Sequence, residues 1–94
     1  MKVHWTMPAV NQIQNLFDYI AAENPPAAGR TVQRIREVVL LTARMPYAGR
    51  VGRVAGTREI RVTGTPYVTA YRIVENSIHV LAVFHGAQQW PESF

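Results

Sequence analysis

Residues 58–85 read REIRVTGTPYVTAYRIVENSIHVLAVFH. β-Branched and aromatic residues dominate this stretch, and two turn signals cut it into three runs. Arg58–Thr63 alternates, with Arg58, Ile60 and Val62 on one face and Glu59 and Arg61 on the other. Gly64-Thr65-Pro66 forms the first turn, Tyr67–Val74 the second run, Glu75-Asn76-Ser77 the next turn and Ile78–His85 the third run. Turns this short join antiparallel neighbours, so the stretch predicts a three-stranded meander. In the last run Ile78, Val80, Ala82 and Phe84 share one face, while Leu81 and Val83 lie between His79 and His85 on the other. A strand apolar on both faces needs two covers. The preferred reading is an open groove at Leu81 and Val83 that a partner fills; the alternative is a tail around Trp90 folded back over that face.

Upstream, Lys2–Thr6 alternates and reads as a short strand. Thr6 stands where a helix N-cap belongs, with Pro8 in the first turn, and Val10, Ile13, Leu16, Phe17 and Ile20 follow at helical spacing. Asn24-Pro25-Pro26 stops that helix, because a residue before proline is pushed out of the α region. The same triplet caps and starts a second helix, whose inner stripe is Ala28, Val32, Ile35, Val39 and Thr42 and which ends at Pro46. Helices joined so tightly form an antiparallel hairpin. Residues 46–56 (PYAGRVGRVAG) read as a glycine-punctuated loop, and Gly86–Phe94 as an irregular tail. The expectation is a single α+β domain over residues 1–94, in the order β-αα-βββ, with the helical hairpin packed on one face of a small antiparallel sheet.

The chain has 94 residues, 48% hydrophobic and 17% charged, which fits a globular domain and excludes disorder. It contains no cysteine, so disulfide and thiolate chemistry are excluded. The longest apolar stretches, Val38–Leu41 and Ile78–Phe84, are too short to span a bilayer. Residues 1–20 lack the apolar core of a signal peptide, so a cytoplasmic protein with no membrane partner is expected. Ten basic residues against six acidic ones give a net charge of +4. All the basic residues but Lys2 are arginine, whose planar fork grips carboxylates and phosphates bidentately. An acidic protein segment or a nucleic acid is therefore the expected kind of partner.

Most catalytic chemistries are poorly supplied. The only serines are Ser77 and Ser93 and the only aspartate is Asp18, so a Ser-His-Asp triad has no parts. His79 and His85 share a face but lie roughly 20 Å apart along a strand, too far to hold one metal ion. Gly49, Gly52 and Gly56 precede a strand and not a helix, which removes the dinucleotide reading. No cofactor is expected. What stands out is a comb of arginines: Arg50, Arg53, Arg58, Arg61 and Arg72. Arg58 and Arg72 could simply pair with Glu59, Glu75 or Glu37. Arg50 and Arg53 have no acid in their own loop, which favours a partner. A metal-free ribonuclease could use such arginines to hold phosphate, with Glu59, His85 or Tyr71 as candidate acid or base by residue type alone. A plain nucleic-acid-binding module lacks both a recognisable motif and a stacking platform.

One pattern spans nearly the whole chain. Asp18-Tyr19-Ile20-Ala21 is followed by Asn24-Pro25 with Ala27-Ala28, then Pro46 and Gly49-Arg50-Val51-Gly52-Arg53. Gly56-Thr57-Arg58-Glu59, Pro66-Tyr67, Tyr71-Arg72, His85-Gly86 and Trp90-Pro91 complete it. In this order it resembles the ParE branch of the RelE/ParE toxin superfamily, whose fold agrees with the β-αα-βββ order. The resemblance implies a growth-inhibiting toxin of a type II toxin–antitoxin pair that acts on DNA gyrase by protein contact, blocks replication and is not an enzyme. It implies a ParD-like antitoxin, a ribbon-helix-helix dimer that binds operator DNA and wraps the toxin with its C-terminal segment in a hetero-oligomer. The toxin itself would read no DNA sequence. Arg50, Arg53, Arg58 and Arg72, with Leu81 and Val83, are the candidate antitoxin surface; His85, Trp90 and Glu92 are the candidate target contacts. The alternative is a RelE-type ribosome-dependent mRNA endonuclease. Against that pattern Arg61 keeps a basic strand position, whereas Glu59, Val68 and Gly86 stand where basic residues belong and Trp90 where a tyrosine does. A degenerate toxin retained for antitoxin binding is a further reading.

Overall fold

The computed structural model describes all 94 residues. The elements are β1 (Lys2–Trp5), α1 (Met7–Ala21), α2 (Pro25–Arg44), β2 (Arg50–Val51), β3 (Arg58–Arg61), β4 (Tyr67–Val74) and β5 (Ser77–His85). The two helices lie on one face of a single sheet of order β1-β5-β4-β3-β2. No helix is long and apolar enough to cross a membrane.

The β3–β4–β5 meander is antiparallel as the turns require. The sheet as a whole is mixed and not antiparallel throughout. β1 pairs in parallel with β5, Lys2 opposite Ser77 through Trp5 opposite Val80. The chain leaves β1 through the helical layer, so no turn ties β1 to its neighbour, and the crossover allows a parallel pairing. A second addition is β2, two residues of the expected loop that pair with β3, Arg50 opposite Glu59.

The helix ends use the residues that the sequence marks, with one change. Asn24 caps α2 by accepting from the Ala27 N–H at 3.1 Å. Thr6 holds the N-cap position of α1, but its hydroxyl makes no cap bond. It donates instead to the Val80 carbonyl at 2.7 Å, which fastens the start of α1 to β5.

The face alternation in β5 breaks in the middle. Ala70 pairs with Ala82 but Tyr71 pairs with Val80, so Leu81 is an extra residue, a β-bulge. Ile78 and Val80 face the helices, packing with Ala9, Val39, Ala43 and Tyr71. After the bulge it is Val83 that faces them, packing with Leu16, Ile35, Val38 and Val62. Ala82 and Phe84 turn to the opposite face and pack with Ala70 under Trp90. The expected common face of Ile78, Val80, Ala82 and Phe84 is thus split in two.

Candidate functional site

The face of the sheet away from the helices is built from the outward positions of β2, β3 and β4. Glu59 and Arg61 alternate with Arg58 and Ile60 along β3, and Arg50 opposes Glu59 from β2. Arg72 lies on the same face, next to the inward-facing Tyr71 in β4. Arg50, Arg53, Arg61 and Arg72 therefore share this outer face. Arg58 leaves from the other side: its Nη1 donates to the Gly49 carbonyl at 2.7 Å and its guanidinium sits 5.0 Å from the Tyr47 ring centre.

Glu59 is the hub of the outer face. It is 2% exposed, although its strand alternation alone suggests a solvent position. Its carboxylate accepts from Arg50 Nη2 at 2.9 Å, from the Arg53 N–H at 2.7 Å and from Arg53 Nε at 3.2 Å. Burial alone would push this carboxyl up, but the Arg53 amide and the Arg50 and Arg53 guanidinium groups outweigh it, and its pKa falls below the ordinary value. Arg50 and Arg53 do have an acid, then; the fold delivers it from the next strand. Neither Arg58 nor Arg72 takes it. Arg72 Nε instead donates to the Gly56 carbonyl at 3.4 Å, a long contact.

Two glycines let the loop approach closely enough. A Cβ on Gly49 would strike the Tyr71 hydroxyl and come within 2.8 Å of the Glu59 carbonyl oxygen. A Cβ on Gly52 would strike the Thr57 hydroxyl. The Tyr71 hydroxyl donates to the Pro46 carbonyl at 2.7 Å and accepts from the Gly49 N–H at 3.1 Å, which pins the other end of the loop. Burial raises the Tyr71 pKa, against smaller opposing effects of the Gly49 N–H and Arg58.

The tail completes the face. The Trp90 ring packs on Phe84 with centres 4.7 Å apart, and the Arg53 guanidinium stacks 3.8 Å from the Trp90 ring centre. Phe94 stacks on Phe84 from further out, at 6.2 Å. The tail does fold back, but over Ala82 and Phe84 and not over Leu81 and Val83 as the alternative reading of β5 had it, and the open groove at Leu81 and Val83 does not form. Val83 is 4% exposed and belongs to the core beneath the helices; Leu81 is half-buried at the bulge. His85 is exposed at the end of β5, with Nδ1 accepting from the Ala87 N–H at 3.1 Å and its ring edge-on to Tyr67. Glu92 is exposed.

Beside this assembly lies a shallow cavity of about 410 Å³, bordered by Arg50, Arg53, Arg61, Tyr67 and His85. It suits a carboxylate or a phosphate. Its capacity for acid–base chemistry is narrow. Glu59 is enclosed by three donors and held ionised, and the Tyr71 hydroxyl is tied between two backbone groups. Of the three acid–base candidates chosen by residue type, only His85 is open to solvent. The sequence reading missed Glu59 as the partner of Arg50 and Arg53. The available signal was an acid in a strand next to an arginine-bearing loop, but its meaning depends on the pairing of β2 with β3.

Sequence comparison places this fold and site. A sequence model described as ParE toxin of type II toxin-antitoxin system, parDE, matches residues 3–90. The chain is 37% identical over 91 residues to "Putative toxin Y4kP" of Sinorhizobium fredii, covering 97% of this chain and 94% of that one. It is 31% identical over 87 residues to "Toxin RelE2" of Caulobacter vibrioides, covering 93% and 97%. Among solved structures, a chain of the chromosomal ParDE toxin–antitoxin system of P. aeruginosa superposes with a TM-score of 0.82 at 25% identity, over 90% of this chain and 95% of that one. With the family match covering nearly every element of the fold, the chain belongs to the ParE toxin family of type II toxin–antitoxin systems.

Proposed function

We propose that this toxin arrests bacterial growth by engaging DNA gyrase through protein contact, and that a ParD-like ribbon-helix-helix antitoxin neutralises it. The observation that carries this reading is the family match over residues 3–90, supported by a site whose buried acid and tyrosine are both structurally committed. The outer-face arginines Arg50, Arg53 and Arg72 are assigned to an acidic stretch of the antitoxin, and the exposed end of the molecule around His85, Trp90 and Glu92 to the target. Arg50 and Arg53 keep exposed guanidinium edges, at 65% and 41% side-chain exposure, while bound to Glu59, so they can still receive a second carboxylate.

A second reading is RelE-type cleavage of mRNA. It draws on the cavity that joins Arg61 and His85 with Arg50 and Arg53, and on the relative named for RelE. Pulse-labelling of DNA and protein synthesis in the first minutes after induction separates the two. Early arrest of DNA synthesis with a DNA-damage response supports gyrase; early arrest of translation with mRNA cut in the ribosomal A site overturns it. Growth unaffected by the induced toxin overturns both in favour of a degenerate toxin.

A further inference from the structure

The outer face of the sheet continues across β5 to the edge strand β1, and there the fold joins two histidines that the sequence keeps apart. Val3 and Trp5 pack on the helix side of the sheet, as do Ile78 and Val80. The residues between them, His4 and His79, therefore turn to the outer face. They stand opposite each other in the parallel β1–β5 ladder. Their ring centres are 4.8 Å apart and their planes 37° from parallel. Opposed side chains of neighbouring strands leave the sheet on the same side, so both imidazoles reach the same volume. His4 is exposed and His79 half-buried. Spacing along β5 alone compares His79 with His85 and finds them too distant. The β1–β5 pairing gives His79 a different neighbour.

The nitrogens of this pair are uncommitted. Of the three histidines only His85 engages a ring nitrogen in a hydrogen bond, with the Ala87 N–H. None of the three ion pairs includes His4 or His79. An ion held about 2.0–2.1 Å from one nitrogen of each ring needs those nitrogens within about 4.2 Å of each other. The nitrogens lie on the rims of the rings, so a turn of either ring about its χ2 brings one of each inside that limit. Imidazole suits Ni²⁺, Cu²⁺ and Zn²⁺, whereas Mg²⁺ and Ca²⁺ require oxygen ligands. No third His, Cys, Asp or Glu joins the pair, so water takes the remaining coordination positions. Two cations stand nearby: Lys2 on the same side of β1, and Arg72 opposite His79 from β4. Lys2 is exposed, and Arg72 Nε is drawn toward the Gly56 carbonyl. Their repulsion of a bound ion is screened by solvent, which leaves the chelate to set the affinity.

We infer that His4 and His79 form a two-histidine site for a late first-row divalent metal ion, with Cu²⁺ bound more tightly than Zn²⁺. The ion clips β1 to β5. β1 is an outer strand that no turn ties to its neighbour, and a link between positions 4 and 79 closes a loop of most of the chain. The bound state therefore holds the edge of the sheet more firmly than the metal-free state. The inference is independent of the antitoxin and of the target.

The test is titration of the full-length toxin, free of any histidine tag, with Cu²⁺ and with Zn²⁺ at about pH 7.5, where imidazole is ordinarily neutral. One equivalent of Cu²⁺ is expected to bind, and its electron spin-echo modulation should count two imidazoles. His4→Asn and His79→Asn should each weaken Cu²⁺ binding at least roughly tenfold and leave one imidazole in the spectrum. His85→Asn, at the third histidine, should change neither. Zn²⁺ at about ten times its Kd should raise the unfolding midpoint of the wild-type protein by roughly 5 °C, and that of His4→Asn by much less. A single imidazole in the wild-type spectrum overturns the inference, and that readout needs no variant to fold. Loss with His4→Asn alone assigns the ion to the N-terminal amine and overturns it as well. Binding that survives both substitutions, or that disappears with His85→Asn, does the same.

Discussion

The two faces of the sheet are held by different forces. The helix face is apolar and continuous: Ile35, Val39, Val62, Ile78 and Val80 are each at most 1% exposed. The outer face has a small apolar island of Ala70, Ala82 and Phe84, sealed by one half-buried tryptophan and fastened by a carboxylate between two arginines. The helix face gives the molecule its stability, and the outer face leaves charge available. A cation already neutralised by Glu59 on one side can exchange solvent for a partner on the other with little change in fold.

The largest effect should come from the helix face. Ile35→Ala removes a fully buried side chain between two helices and the sheet and is expected to cost about 3 kcal/mol. Thermal or urea unfolding measures it; a loss below about 1 kcal/mol would mean that this core collapses to refill the space.

Glu59→Gln comes next. It keeps the shape but loses the charge that orders residues 50–53, and is expected to cost about 1.5 kcal/mol, at the low end for charged hydrogen bonds because both guanidinium groups are partly exposed. The pH dependence has a definite sign. The folded pKa of Glu59 lies below its ordinary value of 4.5, so its stabilisation is complete above that value and disappears as the pH falls through the lower, folded value. Wild-type stability should fall more steeply than that of Glu59→Gln on acidification below about pH 4.5. Parallel curves would show that the carboxylate is not held ionised.

Trp90→Ala should cost less, about 1 kcal/mol, since the indole is only half-buried and its contacts are Phe84 and Arg53. Beyond Gln88 no residue of the tail takes part in a backbone–backbone hydrogen bond, so the ring is the main attachment. Amide exchange around Phe84 should quicken in this variant, while that of Ile78 and Val80 should not.

The same contrast explains what could be read from the sequence. The meander and the helical hairpin were legible because Gly64-Thr65-Pro66, Glu75-Asn76-Ser77 and Asn24-Pro25-Pro26 are local signals for local geometry. The parallel pairing of β1 with β5 was not, because residues 2–5 and 77–80 lie far apart along the chain and no turn joins them. The bulge at Leu81 was hidden for another reason: β5 is apolar on both faces, so a slip of one residue leaves no mark in the pattern. Arginine type and position were plain in the candidate site. The partner of Arg50 and Arg53 was not, since Glu59 comes from the next strand and its burial follows from the loop and tail closing over it.

The helix face carries one flaw, and it gives the smallest effect and the opposite sign. Thr69 pairs with Ile60 and Val83, so its side chain points into the core, where it is 2% exposed. Its hydroxyl has no hydrogen-bond partner. A buried hydroxyl without a partner loses its water and gains nothing in return, whereas a methyl group of the same shape has nothing to lose. Thr69→Val should therefore raise stability by about 0.5–1 kcal/mol, seen as a higher unfolding midpoint with an unchanged denaturant slope. The matching change on the outer face, Arg53→Met, should lower stability, because there the guanidinium bonds the Glu59 carboxylate and its stacking on Trp90 depends on the charge. If both substitutions moved stability the same way, the division of labour between an apolar face and a charged one would be wrong.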